Sequence, residues 1–370
     1  MRPTERERPR GRWVRRLALA AMLGLVALGI AAVATSEGRF LARSAWEEGR
    51  ILWRRQPITR LLADRATEPT LRAQLALVAE ARAFAHDRLG LAAKRTYTSY
   101  SDVGRGPLLY VLAASPRDRL TVYRWWYPIV GRVPYKGFFD RRAAERAAAA
   151  LAARGYDTNL TPASAFSTLG WFDDPLLSTA LGDDPVELAA TVIHELAHNT
   201  LWVASAADFD ESFATFVGLR GAERFFAARG DRAGTSRAAA LWRDEERLGR
   251  FYSDLARRLT TVYAAHLPEP ERLRRRAAVF AAARAELAGP LARELEVYRF
   301  TAPGRRDLNN ATVVAGRLYR THLADLDRVD ALGGDDRRRT VATLAAAVQS
   351  DPAGPWPAVR AVAGCAPPRG

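Results

Sequence analysis

The chain has 370 residues, 48% of them hydrophobic and 26% charged, with a net charge of +15 and a single cysteine. That balance excludes a largely disordered chain. One cysteine excludes an intrachain disulfide framework and a cysteine-based structural zinc site. The positive charge is the usual mark of a nucleic-acid or anionic-membrane binder. Here it is almost all arginine, with lysine only at Lys94 and Lys136, and no nucleic-acid motif accompanies it. Part of it sits at one end: residues 1–16 hold seven arginines against Glu5 and Glu7, a net +5.

This basic flank runs into Leu17–Thr35, which carries no charge. The pattern predicts a basic cytoplasmic flank followed by a signal-anchor helix or signal peptide over residues 1–36. The run is close to the roughly 18 residues a spanning helix needs, while Ala32-Val33-Ala34 offers a small-x-small cleavage pattern. No cysteine follows the run, so lipidation there is not expected. The chain from about residue 37 onward is expected outside the cytoplasm, tethered to the cytoplasmic membrane by one N-terminal helix.

The remainder reads as one domain over residues 37–351, with no repeat and no long linker. Thr70–Leu91 has helical apolar spacing. The segments at Arg105–Ser115 and Leu120–Phe139 are aromatic, β-branched and broken by Pro and Gly, so they read as strands and turns. Asp140 caps an Ala-rich helix that Gly155 ends. Tyr156–Phe172 reads as extended. From Asp184 the pattern is mostly helical, with helices at about 185–225 and a C-terminal helical part at about 237–350. Breaks fall at Pro268–Pro270, Pro303–Gly304 and Gly333–Gly334. The Pro/Gly-rich stretch 352–370 is expected to be a flexible tail. The fold class is α+β, predominantly helical, with a small β-sheet.

One segment carries chemistry. Thr191–Thr200 reads TVIHELAHNT, an H-E-x-x-H pattern formed by His194, Glu195 and His198. Residues four apart share a helix face, so both imidazoles reach one ion. Asp184 as N-cap, Pro185 at the first helical position and Glu187 three residues after the cap supply the helix. Leu188, Val192, Leu196 and Trp202 offer an apolar side. Glu187 or Thr191 falls on the stripe of His194 and His198 and is placed to orient a ligand histidine. Zn2+ would activate a water and Glu195 would take its proton. Two histidines leave zinc one protein ligand short. The position three past His198 is Leu201 rather than glycine, and three further on stands Ala204 rather than histidine, so a metzincin continuation is absent. The carboxylates that follow are Asp208, Asp210 and Glu211, on a second helix starting near Asp208. Asp208 and Glu211 also have capping-box spacing, which is a purely structural use of both.

The run HELAHNTLW…FDESFATFVGLRG resembles the bacterial putative aminopeptidase family, gluzincin-like and usually membrane-anchored. Tyr127–Asp140, Phe166–Leu176 and Leu308-Asn309-Asn310-Ala311 with Tyr319 are similar to further segments of that family. The resemblance implies a zincin-like catalytic domain and a zinc peptidase acting on peptides. It places Glu211 as the third ligand. It also implies that Ser167, Thr168, Leu169, Gly170 and Trp171 form the strand that holds the substrate backbone. Such a peptidase gains from a donor to the developing oxyanion. Tyr319, one turn from His322 on a late helix, is the candidate for that role, with His322, Tyr127 and Tyr135 as others. The chain lacks a Gly-x-Met-Glu-Asn segment for a free amino terminus, so the exopeptidase mode comes from the family name alone. The alternative function is a membrane-tethered, zinc-containing binding or scaffold protein without activity. Nucleic acid is not expected as a partner. His86, His266 and Cys365 are expected to play no part in the site.

Overall fold

A computed structural model describes residues 10–34, 36–104, 106–127, 131–163, 174–299, 308–334, 336–351 and 354–364. The chain divides into two compact units, residues 1–53 and 54–370. The first holds α1 (Arg10–Ala34) and α2 (Ser36–Arg54), the last residue of which falls just past the boundary. Glu47 pairs with Arg43 (2.7 Å) and Arg50 (2.9 Å) along α2. Thus α2 groups with α1, although the domain was expected to begin near residue 37. Among the described residues no helix is long and apolar enough to cross a membrane. Thr35 and several side chains of the Leu17–Thr35 run lie outside the described set.

The second unit opens with β1 (Gln56–Pro57), α3 (Ile58–Ala63) and α4 (Pro69–Leu89). The Glu68 carboxylate caps α4 by accepting from the Thr70 and Leu71 N–H groups at 2.9 and 2.8 Å. Gly90, at φ +72°, closes it in a left-handed conformation that costs glycine nothing. Strands β2 (Ser99–Ser101), β3 (Leu109–Pro116), β4 (Trp125–Tyr127), β5 (Gly131–Val133) and β6 (Lys136–Phe138) follow. Then come α5 (Arg141–Ala153), capped by Asp140 as expected, β7 (Tyr156–Ala163) and β8 (Leu176–Leu177).

The strands form three small sheets. β6, β3 and β7 lie side by side, all antiparallel, with Leu109 opposite Ala163 and Pro116 opposite Tyr156. β2 lies between β1, antiparallel, and β8, parallel. β4 and β5 pair antiparallel, with Trp126 opposite Arg132.

Helices dominate the rest: α6 (Pro185–Thr200), α7 (Ala207–Ala228), α8 (Arg232–Ala264), α9 (Glu269–Ala288), α10 (Pro290–Glu294), α11 (Asn310–Leu318), α12 (Leu323–Gly333), α13 (Arg337–Ser350) and α14 (Pro355–Val362). The chain is therefore α+β and mostly helical, as its pattern predicts. The main core joins α4, α6, α7, α12, α13 and α14, with Leu75, Ile193, Leu196, Phe209, Phe213 and Leu344 buried. A second core joins α8 to α9, α10 and α11 around Phe251, Leu255, Phe280 and Val313.

The expected flexible tail differs. Within residues 352–370, α14 packs on the core and buries Ala358 and Val359. Its Pro/Gly composition hides three apolar residues, Trp356, Val359 and Val362, at helical spacing.

Two asparagines tie the helical part to the largest sheet. Asn309 caps α11 in a reciprocal box with Thr312 and donates to the Thr158 carbonyl at 3.0 Å. Asn310, fully buried, donates to the Pro116 carbonyl at 2.7 Å and accepts from the Tyr263 hydroxyl at 2.7 Å. The sheet thereby fixes the start of α11, whose far end carries Tyr319.

Candidate metal centre

The two central helices of the main core supply the site. The Asp184 carboxylate accepts from the Val186 N–H at 2.8 Å and, at 3.4 Å, from that of Glu187, with Pro185 first in the helix. The H-E-x-x-H segment occupies the last two turns of α6. A short connector, Leu201–Ala206, turns the chain into α7. The Asp210 carboxylate holds it by accepting from the Val203 N–H at 2.8 Å.

This turn brings His194, His198 and Glu211 together, each offering a ligand atom within 4.8 Å of the others. The two Nε2 atoms are 3.1 Å apart, and Glu211 Oε2 lies 3.4 and 3.6 Å from them. A tetrahedral ion with bonds of about 2.0–2.1 Å sets neighbouring ligand atoms about 3.3 Å apart. Two imidazoles and one carboxylate are also the donor set of one class of catalytic zinc site. On both counts the residues present fit a zinc ion.

Of the three carboxylates left open by spacing, only Glu211 faces the histidines in this way. Asp208 accepts the Trp356 indole N–H at 3.0 Å. Asp210 points at the connector. The capping-box use of Glu211 does not occur, because α7 starts at Ala207 with Ala206 as an N-cap without a side-chain bond.

In the metal-free protein Glu211 and His198 favour each other's charged form. Burial pushes the Glu211 carboxyl up, but the facing imidazoles outweigh it and hold the group down at about 2. Burial lowers His198, and the Glu211 carboxylate together with the charges of Glu195 and Asp210 offsets this, so its net shift is upward. Burial raises Asp210 to about 7. Among the described residues His198 Nδ1 and Asp210 Oδ2 are both buried without a hydrogen-bond partner, and each group feels the other's charge.

Aromatic residues surround the triad. The Tyr319 ring centroid lies 6.4 Å from that of His194. Tyr319 sits at the C-cap of α11, and His322 opens α12 at φ +51°, so the chain breaks between them rather than continuing one helix. Ser212, next to Glu211, brackets this break: its hydroxyl donates to the Leu318 carbonyl at 3.3 Å and accepts from the Thr321 N–H at 2.9 Å. The surrounding protein, then the charges of Glu211 and Glu195 and the nearby Tyr135, push the Tyr319 hydroxyl well above its ordinary pKa. Tyr135 is raised to about 12 by desolvation and by the same two glutamates.

Three expectations are corrected. His322 turns away from the triad, to Asp325 (3.3 Å) and the Trp356 ring (4.8 Å). Glu187 faces Arg237 of α8 at 3.4 Å, and the Thr191 hydroxyl bonds back to the Glu187 carbonyl at 2.8 Å, so neither orients a ligand histidine. Trp202 lies past the C-cap Leu201 and is 50% exposed, not part of the buried side of α6. Ser167, Thr168, Leu169, Gly170 and Trp171, the Tyr127 side chain and Cys365 lie outside the described residues. His86 is used locally, its Nδ1 3.0 Å from the Leu91 carbonyl.

Residues 39–352 match the family model described as putative aminopeptidase. The chain belongs to that family. The description is that of a hydrolase acting on peptides. No curated protein and no solved structure matches the chain.

One further buried tyrosine of this family member feels the charge of Glu195, and its motifs do not announce it. Tyr97 is buried at a left-handed turn of φ +56°. Its hydroxyl is raised well above the ordinary value by burial and then by Glu195 and Asp174. Its loop docks on the end of α6 through the Asn199 amide, which donates to the Thr96 hydroxyl at 2.8 Å. Nothing in the local sequence, about a hundred residues upstream of the motif, marks this neighbour.

Proposed function

We propose that the protein is a zinc-dependent peptidase whose metal ligands are His194, His198 and Glu211. The convergence of these three side chains across the α6–α7 turn carries the reading. When bound, zinc supplies an acidified water and a Lewis acid for the peptide carbonyl. Glu195, half-buried beside the first ligand, accepts the water's proton and returns it to the leaving amine. Tyr319 keeps its proton at neutral pH, because its hydroxyl is pushed well above the ordinary value. It therefore serves as a hydrogen-bond donor to the developing oxyanion. The gluzincin assignment rests on the ligand order, with two histidines on one helix and a glutamate on the next. The family description favours removal of N-terminal residues.

Export belongs to the same reading. Seven arginines precede the charge-free Leu17–Thr35. They support insertion with the basic flank in the cytoplasm and the second unit outside it. Fractionation of cells making the full chain or the chain without residues 1–36 tests this. Recovery of both forms in the same compartment would refute it.

The central experiment replaces Glu195 by Gln. The variant is expected to keep zinc at the wild-type stoichiometry, measured by elemental analysis, and to lose hydrolysis across a peptide library read by mass spectrometry. Undiminished hydrolysis would sink the assignment.

A further inference from the structure

The connector between the metal helices exposes one large aromatic side chain that the mechanism above does not use. Trp202 is 50% exposed, and its ring centroid lies 5.8 Å from that of His198 at 68°, edge to face. Its flanks are fixed. Leu201 before it is buried, and the Val203 N–H after it is held by Asp210 at 2.8 Å. The last turn of α6 is tied down as well, with the Thr200 hydroxyl accepting from the Ala92 N–H at 2.9 Å. The indole is thus presented by a pinned segment.

Two other tryptophans show how this fold treats an indole it needs for structure. Trp242 is buried and donates its N–H to Asp327 at 3.0 Å, and Trp356 donates to Asp208 at 3.0 Å. Trp202 instead keeps half its surface in solvent. A scattered exposed apolar residue needs no explanation. This one touches a metal ligand, and Tyr319, 39% exposed, approaches the other histidine.

We propose that Trp202 is a specificity residue, an apolar shelf beside the metal ligands that receives a bulky aromatic or aliphatic side chain flanking the scissile bond. This rests on the zinc-peptidase reading of the triad. A side chain laid on the indole covers apolar surface that is open in the free protein and gains ring contacts. Glycine or alanine at that position gains neither. The substrate class is therefore peptides with a large apolar residue next to the cleaved bond.

The test uses zinc-loaded full-length protein and metal-chelating hydroxamates, which bind whether or not the protein turns over. Acetohydroxamate and a hydroxamate with a benzyl tail are compared by calorimetry on the wild type, Trp202→Ala and Trp202→Phe. The wild type is expected to prefer the benzyl compound by about tenfold or more. Trp202→Ala is expected to keep its affinity for acetohydroxamate and to reduce the preference below about threefold, with Trp202→Phe in between. If Trp202→Ala loses zinc, the Phe variant alone carries the comparison. An unchanged preference in the variants overturns the proposal, as does no preference in the wild type. Failure of the Glu195→Gln experiment would strike at peptidase activity while the hydroxamate ratios still judge the shelf.

Discussion

Glu211 and His198 hold each other in charged form when no metal is present, and this sets the pH dependence of the site. His198 has its pKa raised in the folded chain. The stability it contributes is therefore fully present below its ordinary value of 6.5 and is lost as pH rises through the folded value. Glu211 is held down at about 2 from an ordinary 4.5. Its contribution is present above that ordinary value and is lost as pH falls through the folded one. Zinc requires the neutral imidazole, so it competes with the His198 proton. Zinc affinity is therefore expected to rise with pH by up to about tenfold per unit while His198 is protonated, and then to level off. Competition titrations with a chromophoric chelator between about pH 5 and 8 measure this, and a flat profile would contradict it. Tyr319→Phe removes the donor without emptying the site. Zinc content and KM should stay near wild type while kcat falls by about 10²–10³.

At the scale of elements, the site depends on how closely α6 and α7 approach. Gly218 makes that approach possible, since a Cβ there would lie 2.8 Å from the Ala190 carbonyl oxygen and 3.1 Å from His194 Cβ. The first contact is with backbone, which cannot swing aside as a side-chain tip does. Gly218→Ala is expected to push the helices apart, at about 1–3 kcal/mol of stability. Because His194 stands on one helix and Glu211 on the other, the same change should weaken zinc binding. A melting temperature and a zinc titration on one preparation test both effects, and an unchanged zinc affinity would show that the triad tolerates the shift. A second link runs from Glu245 on α8 to Arg320, at 2.5 Å, and to the Tyr298 hydroxyl, at 2.7 Å, behind the Tyr319 turn. Glu245→Ala would leave the Arg320 guanidinium, only 16% exposed, without its carboxylate partner, an expected loss below the roughly 3–5 kcal/mol of a fully buried pair, seen in denaturant melts.

At the scale of the molecule, residues 54–370 contain both cores and the whole triad. This piece is expected to fold alone and to bind zinc like the full chain. On the proposed reading zinc would bind the folded chain far better than the unfolded one, and mass action would then stabilise it by about 4 kcal/mol at a thousandfold excess over Kd. Chelation should accordingly lower its melting temperature, and readdition should restore it. A melting temperature insensitive to both would mean that the triad holds no structural share of the metal's binding energy.

The sequence by itself determined the local features. The N-cap at Asp184, the proline after it and the i, i+4 histidines depend on residues within one helix, where spacing and geometry are the same thing. The cap at Asp140 is legible for the same reason, whereas the Thr70–Leu91 spacing ran past the stop that Gly90 imposes on α4. Motif similarity also singled out Glu211 and Tyr319 across longer separations. Tertiary structure decided the rest. Asp208, Asp210 and Glu211 are equivalent on spacing, and only the packing of Trp356 and the connector assigns each carboxylate a different partner. His322 and Tyr319 look like neighbours on one helix until the left-handed residue at 322 parts them. Trp202 reaches His198 by a ring contact from beyond the end of a helix, and the Tyr97 loop docks on the end of α6 through Asn199, neither of which local pattern encodes. What surrounds the triad is set by which surfaces the core brings together, and that is a property of the whole fold.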